Sequence, residues 1–188
     1  NPKMNIPEES FRILCKYNKI ERFDEKHSAM DEAGERDVYW EEYNEFEAAN
    51  PGIYFRNNCW WWRPLWNYCH HVAPELVTDD VFKSGSYNDG AGLNAKGAAK
   101  LAVILEAKIA DGHTKHYQRE YELYLESLPN DTCSRCNGNN RGHNKKKECK
   151  SCDGTGETEN FSKSYPFDVD NVENFAKFLI DSGGFEIW

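Results

Sequence analysis

The sequence predicts an α+β fold that is mostly helical, in a single compact domain with an inserted zinc knuckle. A length of 188 residues suits one domain with a buried core. Aromatic residues make up 14% of the chain, and each can bury a large area. Residues 130–160 contain almost no apolar side chains but hold two C-x-x-C pairs. This segment therefore indicates a metal-stabilised insert rather than a hydrophobic core.

These patterns divide the chain into three parts. Residues 1–50 form an acidic helical N-terminal region, residues 51–129 and 159–188 form the α+β core, and residues 130–158 form the zinc-knuckle insert. In the first part, Pro7 followed by two glutamates predicts a helix start. The segment "DVYWEEYNEFEAAN" predicts a second helix, because its aromatic residues recur near helical spacing.

The core begins with "PGIYF" at 51–55, which predicts a short strand after a Pro-Gly turn. Asn57 and Asn58 are both plausible caps for a following helix. One face of that helix is apolar at helical spacing and consists of Leu65, Tyr68, Cys69 and Val72. The segment "SGSYNDGAGLN" at 84–94 is typical of a turn.

Two helices are predicted next, one capped by Asn94 and one near residues 114–128 that ends at Pro129. Their short connection favours an antiparallel hairpin. After the insert, Asp170 and Glu173 form a possible capping box. The final helix buries Val172, Phe175, Phe178 and Leu179, and "FEIW" predicts a last strand.

The cysteine pairs carry the most specific chemistry. "CSRCNG" and "CKSCDGTG" supply Cys133, Cys136, Cys149 and Cys152, and two such pairs complete the tetrahedron of thiolates that zinc accepts. Four protein ligands leave no open coordination position, so one structural Zn²⁺ is expected. A minor variant replaces one cysteine with His143. The basic residues around the site can offset its net charge of about −2; they are Arg135, Arg141, Lys145, Lys146, Lys147 and Lys150.

These two motifs resemble the C-x-x-C-x-G-x-G repeats of the DnaJ cysteine-rich region, although Asn140 replaces the last glycine of the first repeat. The resemblance implies a zinc-knuckle geometry and, more weakly, a protein-binding role. The segments "YFRNNCWWWRPLWNYC", "SYNDGAGL" and "YPFDVDNVENFAKFLIDSGGFEI" resemble a group of phage and bacterial proteins of unknown function. That resemblance implies a phage origin but no mechanism.

The tryptophan run allows two interpretations. Consecutive helical residues point about 100° apart, so Trp60, Trp61 and Trp62 cannot all face one core. Most of this helix is expected to be core. In the sharper hypothesis, Trp61 or Trp62 lines a recognition surface with Arg63, since Trp and Arg are common in binding hot spots.

Other polar residues are weaker candidates for a site. Asp89 could belong to a ligand-holding loop, but a plain turn is favoured. His70, His71, His113 and His116 could form a second metal site, but surface histidines or satisfied histidines are favoured.

The net charge of −9 disfavours a nucleic-acid partner, and no segment has the pattern of a signal peptide or a membrane span. C-x-x-C pairs that bind metal fit the reducing cytoplasm. We therefore expect a non-enzymatic cytoplasmic protein that binds a host or viral protein. The alternatives are an enzyme with a Trp-, His- and Asp-lined pocket for a small or nucleotide-like ligand, and a nucleic-acid binder acting through the basic knuckle.

Overall fold

The computed structural model describes residues 6–141 and 148–188, and 58% of these are helical. This confirms the mostly helical α+β class. None of the described helices combines the length and apolar character needed to cross a membrane. In chain order the elements are α1 (Arg12–Asn18), α2 (Phe23–Ala33), α3 (Arg36–Ala49), α4 (Cys59–Val72), α5 (Asp79–Tyr87), β1 (Gly92–Asn94), α6 (Ala95–Ala110), α7 (His113–Ser127), β2 (Asp131–Thr132), β3 (Glu157–Thr158), a 3-10 helix (Phe161–Ser164), α8 (Val169–Asp181) and β4 (Gly184–Glu186).

The main core lies between α4, α6 and α8. Its fully buried side chains include Trp66, Tyr68, Leu105 and Phe175. Each of the three helices carries apolar residues on a face that the other two cover, as the spacing in the sequence predicts. An antiparallel pair of short strands, β1 and β4, closes one side of this core, with Leu93 opposite Phe185.

A second cluster of buried side chains belongs to α1, α2 and α3. Tyr17, Met30, Tyr39 and Phe46 are each at most 3% exposed. The carboxylate of Glu42 accepts a hydrogen bond from the backbone N–H of Leu14 at 2.7 Å, which satisfies a free donor in the first turn of α1. The N-terminal residues thus pack as a helical unit with its own apolar contacts.

The strand prediction for "PGIYF" is wrong, because residues 51–53 form a turn and bend and residues 54–55 have no regular structure. Ile53 packs against the N-terminal cluster, whereas Phe55 packs against the main core. In a strand these two side chains would share one face. Gly52 also lies against the backbone carbonyl of Asp181, where any Cβ would overlap it.

Some predicted helix boundaries are also wrong. The first helix begins at Arg12, and Pro7 instead opens a turn in which its carbonyl accepts from Ser10 and Phe11. The cap of α8 is Asp168, whose carboxylate accepts from the N–H of Asp170 at 3.0 Å. The sequence predicts a turn for residues 84–94, but residues 84–87 form the last turn of α5.

The other helix caps match the prediction. Asn58 caps α4 by accepting from the backbone N–H groups of Trp60 and Trp61. Asn94 caps α6 by accepting from Gly97 at 2.9 Å. A single glycine, Gly112, then separates α7 from the C-cap of α6, so the two helices form the expected hairpin.

Candidate metal centre

A short antiparallel ribbon carries the four cysteines of the knuckle. In this ribbon Asp131 pairs with Thr158 and Thr132 with Glu157, and Cys133 follows directly. The cysteines themselves are buried, and they are the third cluster of buried residues that the described chain contains. Since the surrounding residues are polar, the sulfur atoms take the place of an apolar core.

The sulfur positions match a tetrahedral metal site. All four Sγ atoms lie within 4.8 Å of one another. Cys133 Sγ is 3.9 Å from Cys149 Sγ, and Cys136 Sγ is 3.7 Å from Cys152 Sγ. A tetrahedron with Zn–S bonds of about 2.3 Å has edges of about 3.8 Å. A disulfide would need about 2.05 Å, so these distances describe thiols arranged as ligands and not oxidised pairs.

The two halves of the knuckle are related by an approximate two-fold symmetry of hydrogen bonds. The N–H of Cys133 donates to the carbonyl of Gly156 at 2.9 Å. The N–H of Cys149 donates to the carbonyl of Asn140 at 3.1 Å. Each half therefore fixes the first cysteine of the other half. As a result, each C-x-x-C turn is stabilised by a backbone hydrogen bond to the opposite half.

The residues after each second cysteine adopt left-handed backbone conformations. Asn137 and Gly138 have φ of 50° and 75°, and Asp153 and Gly154 have φ of 46° and 76°. Gly, Asn and Asp are the residues that enter this region at least cost. The Asn-Gly and Asp-Gly pairs thus turn the chain tightly around the sulfur atoms.

Hydrogen bonds from backbone N–H groups lower the pKa of a cysteine thiol in this site, whereas burial raises it. Hydrogen bonding from the backbone N–H of Cys136 lowers the pKa of Cys133 to about 7. Burial, together with hydrogen bonding to Cys133, raises the pKa of Cys136 to about 11. Four thiolates whose sulfur atoms lie within 4.8 Å of one another would repel strongly, so their negative charge needs a cation to balance it. A divalent metal ion supplies the missing charge, and the four cysteines fit it.

Part of the predicted basic surround lies outside the described residues. Lys145, Lys146, Lys147 and the alternative ligand His143 all belong to the gap at 142–147. Within the described chain, Arg135, Arg141 and Lys150 are exposed around the site.

The histidines do not converge on a second metal in the described part of the chain. There the four cysteines are the sole group of three or more possible His, Cys, Asp or Glu ligands that come together. His70 donates from Nδ1 to the carbonyl of Val77 at 2.6 Å and stacks on Phe82. His113 Nδ1 lies 3.0 Å from the hydroxyl of Tyr68, and its ring stacks on His71 with centroids 6.1 Å apart. These contacts favour the interpretation that the histidines have hydrogen-bond and stacking partners within the protein and are not metal ligands.

The three consecutive tryptophans have different environments. Trp62 is 8% exposed, stacks on Trp66 and donates from Nε1 to the carbonyl of Gly85 at 3.0 Å. Trp61 is half-buried, and its backbone carbonyl accepts from Asn171. Trp60, which the sequence did not single out, packs against Phe161 and Tyr165 with centroids 5.5 and 4.9 Å away.

Trp60, Arg63, Phe161 and Tyr165 form a surface that we call the aromatic patch. The guanidinium of Arg63 donates to the Tyr165 hydroxyl at 2.7 Å and lies 5.5 Å from its ring centroid. Phe161 is 61% exposed. The helical phase of α4 could have indicated Trp60, since it shares a face with Arg63 at i+3. The sequence did not indicate Trp60 as a site residue, because its partners Phe161 and Tyr165 come after the insert and are far from it along the chain.

The predicted site residues do not come together in the groove beside β1 and β4. Trp62 reaches a groove of about 1330 Å³ that also contacts β1, β4 and the end of α8. Arg63, Asp89, His70 and His113 do not line this groove. Asp89 accepts a hydrogen bond from the side chain of Ser84 and belongs to the loop after α5, as the plain-turn interpretation expects.

Comparison with known proteins adds no family to this description: no family model matches the chain, and neither does any curated protein or solved structure. The functional argument therefore depends on the geometry of the site alone.

Proposed function

We propose that this protein is a non-enzymatic, zinc-containing interaction module of the cytoplasm, and that it binds a host or viral protein. The knuckle holds one structural Zn²⁺ through Cys133, Cys136, Cys149 and Cys152. Zinc is preferred over other divalent ions because four thiolates in a tetrahedron suit its softness and geometry. With four protein ligands the metal has no open position for a substrate.

One contact supports the binding role most directly, because it joins the knuckle to the aromatic patch. Asp131 Oδ2 accepts from the backbone N–H of Phe161 at 2.8 Å. Asp131 lies in the strand that leads into Cys133, and Asn160 donates to both Asp131 and the carbonyl of Pro129. The metal that orders the ribbon thereby also positions Phe161 in the patch.

The patch has the composition of a protein-binding surface. Trp, Tyr and Arg are the residues that contribute most to protein–protein interfaces. Here Arg63 is already oriented on Tyr165, so little side-chain entropy is lost on binding. The proposed functional unit consists of the knuckle, the aromatic patch and the bound partner. The partner is a polypeptide, because the net charge of −9 disfavours binding of long nucleic acid.

Affinity capture with the full-length protein tests this proposal. A partner recovered by the wild type should be produced separately, and its affinity measured by calorimetry. The double variant Trp60→Ala/Arg63→Ala should weaken binding at least about tenfold, as is common for hot-spot residues. Trp40→Ala, which removes an exposed tryptophan outside the patch, should leave affinity unchanged. Binding that survives both the double variant and zinc removal would refute the proposal.

A further inference from the structure

A second surface lies in the groove that contacts β1, β4 and the end of α8. Its volume is about 1330 Å³, and its lining shares no residue with the aromatic patch. Pockets for drug-sized molecules measure about 300–1,000 Å³. The groove therefore has room for several residues of an extended chain.

Aromatic side chains dominate the groove. Its lining includes the half-buried Phe55 and Phe185, and Tyr54 and Trp188 are 55% and 79% exposed. The indole of Trp188 is held in position although it is exposed. Its Nε1 donates to Glu186 Oε2 at 3.2 Å, and its ring lies against Gly90, where a Cβ would come within 2.9 Å of it.

Gly90 explains how the ring can approach the backbone so closely. Its φ is +88°, a conformation that favours glycine, and the absence of a side chain opens the space that Trp188 occupies. The chain thereby contacts the six-membered ring of the indole, and most of the side chain, which is 79% exposed, is accessible to a ligand. A surface fixed in this way loses little entropy when a ligand binds.

The charged groups of the groove have one sign. Asp181 and Glu186 line it, and none of its described lining residues is a lysine, arginine or histidine. Asp181 is the last residue of α8, where a negative charge is unfavourable to the helix dipole. Its carboxylate therefore does not stabilise its own helix through the dipole, and it is exposed to solvent.

We infer that this groove binds an extended basic peptide segment, with an arginine or lysine side chain placed over Trp188 and between the carboxylates of Asp181 and Glu186. An indole face attracts a cation through its quadrupole, and guanidinium groups stack on it especially well. The two carboxylates provide the opposite charge, and the accessible parts of Tyr54, Phe55 and Phe185 accept the apolar part of the peptide. Anionic ligands such as nucleotides are disfavoured by the same charges.

The test uses fluorescence anisotropy with the zinc-loaded full chain and a labelled short peptide of alternating glycine and arginine. The wild type should bind this peptide, and binding should weaken as salt rises. Trp188→Ala should weaken binding about tenfold. Asp181→Asn/Glu186→Gln should weaken it similarly and remove most of the salt dependence. Both sites are exposed, so the variants should retain the wild-type melting temperature.

Three controls make the result decisive. Trp40→Ala and the patch variant Trp60→Ala/Arg63→Ala should bind the peptide like the wild type, which separates this groove from the proposed partner surface. A peptide with citrulline in place of arginine should bind at least about tenfold more weakly, because it lacks the charge. The inference is overturned if the citrulline peptide binds equally well, if Trp188→Ala has no effect, or if free arginine or an oligothymidylate competes as strongly as the peptide.

Discussion

Asn140 and Gly156 occupy equivalent positions in the two halves of the knuckle. Both have positive φ, 60° and 83°, and the carbonyl of each accepts from the first cysteine of the other half. The asparagine that departs from the glycine of the repeat therefore keeps the same backbone conformation, since Asn is among the few residues that adopt it readily. The symmetry of the knuckle is preserved despite the difference in sequence.

The two positions should respond differently to substitution. Gly156→Ala should weaken zinc binding by at least about 1–2 kcal/mol, the usual cost of a left-handed non-glycine residue. A Cβ there would also overlap the side-chain amide of Asn140 and lie 2.8 Å from the carbonyl oxygen of Gly138. Asn140→Gly keeps the backbone conformation but loses the hydrogen bonds that the Asn140 amide donates to the carbonyls of Gly138 and Thr155, so it should weaken zinc binding less than Gly156→Ala does. Competition with a zinc chelator measures both, and equal affinities for the two variants would refute the role assigned to Gly156.

Cys149→Ser should lose the metal and make the insert sensitive to proteases. Cys149 is fully buried among the other sulfurs, and an alcohol is a poor ligand for zinc. Limited proteolysis followed by mass spectrometry should find early cuts between residues 130 and 158. Cys59→Ser is the matched control, because Cys59 is an exposed free thiol away from the cluster. Unchanged zinc content in Cys149→Ser would show that the ligand assignment is wrong.

Removal of zinc from the wild type should unfold the insert before the core. The main core and the N-terminal cluster are built from apolar side chains that do not depend on the metal. We expect circular dichroism to retain most of the helical signal after chelation, while hydrogen exchange increases across the knuckle and at Phe161. Simultaneous loss of helicity and knuckle protection would instead mean that the metal holds the whole fold together.

Thiol reactivity should separate Cys59 from Cys69. Burial raises the pKa of Cys69, so this thiol stays protonated in the folded state. The pKa of the Cys69 thiol is higher in the folded protein than in the unfolded protein. The protonated thiol therefore makes its full contribution to the free energy of unfolding at pH values below the unfolded pKa. This contribution is lost as the pH rises from the unfolded pKa through the folded pKa. At mildly alkaline pH, iodoacetamide should modify Cys59 but not Cys69 in the folded protein. Rapid modification of Cys69 would contradict its burial.

The tryptophans should differ in their effect on stability. Trp62→Ala removes a stacked and hydrogen-bonded core side chain and should cost about 3–5 kcal/mol. Trp60→Ala removes a half-buried patch residue and should cost about 1 kcal/mol. Urea unfolding of both variants measures the difference. Similar losses would mean that the patch is part of the core.

Local sequence signals predicted much of the fold but not its tertiary arrangement. The caps Asn58 and Asn94 and the apolar face of α8 follow from spacing, and so does the four-cysteine cluster. By contrast, the contacts of Trp60 with Phe161 and Tyr165 join residues about one hundred positions apart. The residues of "PGIYF" fail as a strand because Gly52 meets α8 and its neighbours pack on two different clusters. Such long-range contacts leave no local periodicity in the sequence.

Native mass spectrometry of the purified full chain tests the central claim most directly. The account predicts one zinc ion per chain, which is released on acidification as the four thiolates take up protons, and which is absent from Cys149→Ser. A chain that stays metal-free after purification with added zinc would contradict the metal centre. Two ions per chain would contradict the interpretation of the histidines, and would move a metal-dependent activity ahead of the binding role.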